Sequence, residues 1–487
     1  MTSKTAIMKT KIILTILFIT ATIISCKKSF LELAPVSNSN ASNFYKTKSD
    51  FDLAVNNAYS TLYTMYGPTG LMSYCGELLS DNATIYQVAG SGSITVGDRW
   101  AFRDYTLNPA NNVVNQLWSD SYVSLYNVNI VLDKIQGASL DDAYVTQVTA
   151  EMRFLRGLYY FGMVQAWGDV PLVTKPISSA EAFTTNRTPK SDVYNQVIDD
   201  LKYAADHLTT PDKVPQPGRA SNGAALTELG KVYLTMGNKT AAVQVLQQVY
   251  NSYNGTMYTL LPEFGSLWGA TLAQKNTKES IFEIQYKGGA NNPSSTYWPA
   301  FSPFENFAIT RFGGGMNQVT DDLYNEYEAG DKRRDTSFDL GYYKGANWIA
   351  IKFQKKWKDI NAPIVNAAES CNNNFMVLRY ADVLLMLTEA TGDVQYLNRV
   401  RTRAGLPLYG TAGYPSAKYP TLDLAIEHER RMEFAMEFHR WFDLKRTGRA
   451  ITVLTAKGKP VNENKLVLPI PQFARDQNPE LGQNLGY

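Results

Sequence analysis

The spacing of apolar positions predicts helix over most of the chain. Phe51, Val55, Ala58, Tyr59 and Leu62 step by threes and fours, and Leu117, Tyr122, Leu125, Val128 and Leu132 repeat that stripe. Val148, Met152, Leu155, Tyr159, Met163 and Ala166 form a third, closed by Gly168 and Pro171. A fourth runs through Tyr194, Val197, Leu201 and Ala204, with Thr188 expected as its cap and Pro189 as its first helical residue. Residues 221–254 match a helix-turn-helix unit of about 34 residues, the period of a tetratricopeptide (TPR) repeat. Gly230 and Ala242 are small enough to let two helices approach, while Leu226, Leu229 and Tyr233 fill the seam. The segments 51–66 with 113–135, and 148–167 with 189–208, are read as degenerate hairpins of the same kind.

Between about 255 and 375 this periodicity gives way to Gly, Pro, Asn and aromatic residues, with only short alternating runs such as Ile281-Phe282-Glu283-Ile284. Helical spacing returns at 376–391, 393–404 and 421–447. The expected fold is therefore mainly α: a scaffold of TPR-like helical hairpins over about 51–254 and 376–447, with a loop-rich insertion and short β-hairpins between them. No shift in composition marks a linker inside 40–487, so residues 41–487 are read as one domain.

The N-terminus changes the picture. Lys4, Lys9 and Lys11 precede an apolar run, Ile12 to Ile24, that ends at Ser25-Cys26. Thirteen residues make about 20 Å of helix, short of the ~30 Å hydrocarbon layer, which fits a secretory leader and not a spanning helix. The end of the run resembles a bacterial lipobox, which implies cleavage after residue 25 and a lipid on Cys26, followed by a polar linker over 26–40. Loss of the three lysines moves the formal charge from +2 to −1. That balance gives no electrostatic case for nucleic acid. With Cys75 and Cys371 as the remaining cysteines, disulfides do not organise the fold.

Catalytic signatures are sparse. The three histidines, His207, His428 and His439, form no H-E-x-x-H, and no G-x-S-x-G, P-loop or dinucleotide fingerprint occurs. Glu429, Glu433 and Glu437 fall at i, i+4 and i+8, a row that could serve a glycosidase. Arginines lie among them, however, and a neighbouring guanidinium lowers a carboxyl pKa, which suits ion pairing better than proton donation. No catalytic residue, metal or cofactor is predicted, and calcium binding is left open.

Four stretches together resemble the SusD/RagB family of outer-membrane nutrient-binding lipoproteins: Glu151 to Phe161 with Trp167-Gly-Asp-Val-Pro-Leu172, Leu378 to Leu385, Val400 to Pro407, and Glu429-Arg-Arg-Met-Glu433 with Arg440 to Arg446. The ending through Pro469-Ile-Pro-Gln472 to Tyr487 is similar too. The resemblance implies a surface-exposed, lipid-anchored outer-membrane protein. It would bind oligosaccharide for a SusC-like TonB-dependent transporter, without cleaving it. The alternatives are a peptide-binding member of the family, a TPR scaffold for a transporter, and, last, a helical glycosidase. Family members tend to hold glycan on loops, so Trp100, Tyr297 and Trp298 are the expected stacking platforms and Asp81, Asn82 and Arg311 the expected polar contacts. Trp348 lies in another ring-bearing stretch. Arg379, Asp382, Glu429, Arg430, Glu433, Arg440 and Asp443 are read as a partly buried ion-pair network. Three features depart from the family pattern: Phe438 stands where the family usually has Gly, the 389–398 segment is short, and Lys27-Lys28-Ser29 lacks acids.

Overall fold

The computed structural model describes residues 44–85, 94–304, 307 and 309–487. The leader 1–25, Cys26 and the 26–40 linker lie outside the described residues. Two units are compact in themselves, one ending at Phe51 and one running from Asp52 to Tyr487. In the described part of the first, Phe44 meets Tyr45 edge-on with centroids 4.7 Å apart, and Asp50 accepts the Thr47 N–H at 2.8 Å.

In the second unit, helices Asn112–Ile135, Asp142–Trp167, Lys190–His207, Asn222–Thr235, Lys239–Tyr253, Tyr380–Thr391 and Val394–Ala404 each pack against the next. Their starts are fixed by side-chain caps that satisfy otherwise unpaired N–H groups: Asn111, Asp141, Ser221, Asn238 and Asp393 each accept from the first turn. The close approach expected at Gly230 is present, since a Cβ there would lie 2.5 Å from Leu246 Cδ2.

Three local expectations are corrected, each by a long-range partner. Pro189 is the cap residue and not the first helical one. The Lys190 N–H is instead taken by the Asp169 carboxylate at 2.8 Å, while Thr188 bridges Val170. Residues 376–379 are not helical: Phe375–Arg379 is a buried strand antiparallel to Ser280–Ile284, and the helix starts at Tyr380. The 421–447 helix is broken. Leu422–Glu433 ends before a turn in which Met436 and Phe438 have φ of 68° and 70°, and helix resumes at Arg440–Arg446. Glu437 therefore lies off the helical row of Glu429 and Glu433.

The break has a packing cause. The Tyr74–Leu78 segment runs so near the turn that a Cβ on Gly76 would meet the Phe438 carbonyl oxygen at 2.1 Å, and Glu77 accepts the Phe438 N–H at 2.9 Å. Phe438 thus adopts the left-handed backbone that glycine favours. Its ring is buried and stacks on Phe375 at 4.8 Å, which offsets the strain. The sheets among the described residues are two-stranded and antiparallel, and the longest pairs Phe338–Lys344 with Asn347–Gln354.

Candidate functional site

A dense network of charged side chains lies inside the protein. The Leu422–Glu433 helix is surrounded, so consecutive charged residues reach different neighbours. Glu429 joins Arg333 and Arg401, and Arg430 joins Asp382 at 2.7 Å and Asp443 at 2.9 Å. Arg431 meets Asp322 at 2.7 Å and Asp81 at 3.0 Å, while Glu433 joins Arg333, Arg379 and Arg403. Arg379 also reaches Glu437 at 2.8 Å and Glu279 at 3.0 Å, and Arg440 pairs with Asp81 at 2.8 Å.

Burial alone would raise the Glu433 carboxyl, but Arg403, Arg379 and Arg333 outweigh it and hold it far below the usual range. Asp81 is depressed in the same way by Arg440 and Arg431 against its burial. These acids stay ionised and fully engaged. Glu429 and Glu433, the catalytic-pair candidates, have arginine nitrogens against their carboxylates and are both inaccessible.

The polar contacts expected at Asp81 and Asn82 are therefore corrected. Both side chains are buried, Asp81 against Arg440 and Arg431, and Asn82 between Glu77 and Arg431. Tyr297 and Trp298 are corrected as stacking platforms for the same reason. Tyr297 is 0% exposed, stacks on Trp357 and Phe375 at 5.3 Å, and donates its hydroxyl hydrogen to the Tyr66 carbonyl at 2.8 Å. Trp298 is 2% exposed and packs with Phe353 and Cys371. Rings in a Gly- and Pro-rich stretch look accessible in sequence, but here they are the core beneath the loops.

Accessible rings lie above that core. The Phe338–Lys344 and Asn347–Gln354 strands form a hairpin whose roots, Phe338 and Phe353, are buried. Gly345, at φ 62°, opens its two-residue turn, a conformation only glycine takes without strain. Across the tip Tyr343 opposes Trp348, with exposures of 66% and 50% and centroids 5.1 Å apart. The indole is seated on Gly341, where a Cβ would lie 2.4 Å from Trp348 Cζ2. One face of Trp348 is thus supported by backbone, and the side chain still reaches solvent. The cross-strand aromatic pair rigidifies the platform without covering it.

Beside the hairpin is an open hollow of about 480 Å³. Leu340, Ala350 and Lys352 form its hairpin side; Thr84, Gln318 and Asp321 form the opposite wall, and Arg103 contributes from helix Ile94–Asp104. Trp100 is half-buried one turn before Arg103, and its indole N–H has no acceptor among the described residues. Arg311 is exposed, its backbone N–H donating to Glu369 at 2.7 Å. Phe307 and Phe312 beside it are exposed, with centroids 6.1 Å apart, and Ile309 packs on the same cluster as Tyr342 and Ile351 of the hairpin. Trp100, Arg311 and Trp348 were named from the sequence; the exposed rings of Tyr343, Phe307 and Phe312 were not. The signal for Tyr343 was a Gly-Ala turn flanked by aromatics, the mark of a short hairpin.

Among the described residues no group of three or more His, Cys, Asp or Glu side chains is arranged to hold a metal. His439 is half-buried and stacks on Phe434, and loss of hydration, with Lys231 nearby, pushes its pKa down to about 3. No helix in the described residues is long and apolar enough to cross a membrane.

A model of the SusD family matches residues 352–487, and a second family model, described as starch-binding and associating with the outer membrane, matches residues 29–234. SusD-like protein P2 of Formosa agariphila is 27% identical over 97% of this chain and 99% of its own length. Among solved structures, a laminarin binding SusD-like protein is 28% identical with a TM-score of 0.78, covering 91% of this chain and all of that one. The surface glycan-binding protein A of Bacteroides thetaiotaomicron, in complex with laminarihexaose, shares the fold at a TM-score of 0.76 with 22% identity, over 90% of this chain and 100% of that chain. With its helical frame, its short hairpins and these matches at both ends, the chain belongs to the SusD family.

Proposed function

We propose that this protein binds an oligosaccharide at the outer membrane, on the face carrying Trp348, and passes it to a SusC-like TonB-dependent transporter without cleaving it. In this reading Cys26 carries the lipid and the protein faces the medium. The observation that carries the binding step is the seated, half-exposed indole of Trp348 opposite Tyr343, beside a polar hollow. Sugar recognition needs such a flat apolar face under the ring C–H groups and polar side chains for the hydroxyls. Arg103, Asp321 and Lys352 supply the latter. The laminarin-binding neighbour makes laminarin the first candidate ligand. A carboxylate pair for hydrolysis finds no support at Glu429 and Glu433, whose charges are committed to arginines.

The test is affinity electrophoresis and calorimetry against a glycan panel headed by laminarin, with reducing ends followed for hours. Retardation by at least one glycan with no release of reducing ends is expected. Silence across the panel would sink the proposal, and released ends would replace binding by hydrolysis. Co-purification of a TonB-dependent porin with the tagged protein tests the transporter step.

A further inference from the structure

A second hollow, of about 310 Å³, is walled by helix Asn112–Ile135, the 171–185 segment and the short helix Gln472–Gln477. Its volume is at the lower end of small-molecule sites. Trp118, Tyr122, Val173, Phe183 and Phe473 make up much of the wall. Three of the polar side chains there are already engaged. The Tyr122 hydroxyl donates to the Pro171 carbonyl at 3.0 Å, Asn129 Nδ2 to the Val173 carbonyl at 2.8 Å, and Asn478 Nδ2 to the Thr185 carbonyl at 3.0 Å.

Two consequences follow from those bonds. They tie the 171–185 segment to the helices on either side, so the hollow is preformed. They also occupy the polar groups of Tyr122, Asn129 and Asn478, which leaves rings and aliphatic side chains as most of the remaining lining. The occupant is therefore apolar over most of its surface.

Its charge is set by Lys175, the one charged residue among the described residues that lines the hollow. Lys175 is exposed and makes no ion pair among the described residues. The Glu181 carboxylate keeps its charge near Lys175 but does not line the hollow; it accepts from the Ser178 N–H at 2.7 Å and hydroxyl at 2.8 Å. A cation as the charged side chain in an otherwise largely apolar wall complements a single negative charge on an apolar body.

We propose that this hollow is a binding site for a small amphipathic monoanion, an acyl or aromatic carboxylate, with its body between Trp118, Phe183 and Phe473 and its carboxylate at Lys175. The site is separate in composition from the Trp348 face and does not depend on glycan binding.

Calorimetric titration of the full chain with octanoate, decanoate and decyltrimethylammonium tests this. Decanoate is expected to bind more tightly than octanoate, by about fourfold per methylene until the hollow is filled. The cation of the same chain length should bind at least tenfold more weakly than decanoate. Lys175→Glu, at an exposed position, should weaken decanoate at least fivefold, and Phe183→Asp should abolish its binding. Trp348→Ala should leave it unchanged, which separates this site from the proposed glycan face. Equal binding of anion and cation, no binding of either, or indifference to Lys175→Glu would overturn the proposal. So would a dimer in sedimentation velocity that Phe473→Asp dissociates, because the hollow would then be a face covered by a second copy.

Discussion

Arg440 grips Asp81 with two guanidinium nitrogens, Nε to Oδ1 at 2.8 Å and Nη2 to Oδ2 at 3.0 Å, although the residues are 359 positions apart. Both are buried, and Arg431 reaches the same carboxylate. Asp81→Asn would leave the two guanidinium groups short of charge in the interior. The expected loss is about 3–5 kcal/mol, read as a lower urea midpoint at pH 7.

The sign of the pH dependence follows from the depressed Asp81 value. Its contribution is fully present above the usual carboxylate range and disappears only as pH falls through the lower folded value. The difference between wild type and Asp81→Asn should stay the same at pH 7 and pH 5. A difference that halves by pH 5 would show that the arginines do not hold this acid ionised.

Glu228 behaves in the opposite sense. Burial raises its carboxyl from 4.5 to about 7, against the pull of Lys231. Stability from this group is fully present below pH 4.5 and declines as pH rises towards 7, at ~1.4 kcal/mol per unit, so by at most about 3 kcal/mol. Glu228→Gln removes that decline. Urea midpoints at pH 5, 6, 7 and 8 should show the variant gaining on wild type up to about pH 7 and then keeping a constant lead.

Phe438→Gly sets backbone relief against lost packing. Glycine relieves a left-handed backbone worth about 1–2 kcal/mol, but loses a buried ring stacked on Phe375 whose removal costs about 3–5 kcal/mol. Loss of the ring outweighs the relief, so thermal unfolding should shift downward. An upward shift would mean that the turn, and not the ring, dominates at this position.

Binding and stability should separate at the aromatic residues. Trp348→Ala should weaken glycan binding at least tenfold, about 1.4 kcal/mol, with the melting temperature nearly unchanged, because the ring is at an exposed tip. Gly341→Ala places a Cβ 2.4 Å from the indole and 2.3 Å from the Ile349 carbonyl oxygen, and should weaken binding by unseating Trp348. Trp298→Ala should do the reverse, costing about 3–5 kcal/mol of stability while the remaining folded protein keeps its affinity. Calorimetry paired with melting curves distinguishes the cases.

Periodicity alone located the helical frame, since a helix that buries one stripe must repeat its apolar residues every three or four positions whatever it packs against. Gly230 and Ala242 were legible as an approach point for the same local reason. The extended Phe375–Arg379 segment, the turn at Met436 to Phe438 and the cap from Asp169 were not, because in each the deciding partner is distant in the chain.

The residue types of a binding site were also present in the sequence: many rings in irregular segments, and charges crowded around Glu429. Which rings face water was settled only in three dimensions. Tyr297 and Trp298 went under the loops because an interior must be filled with large apolar groups, while Tyr343 and Trp348 were left exposed, at 66% and 50%, near the tip of a hairpin. Asp81 and Asn82 were decided in the same way, since a buried guanidinium requires a carboxylate or amide oxygen beside it, and the fold brought Arg431 and Arg440 to theirs.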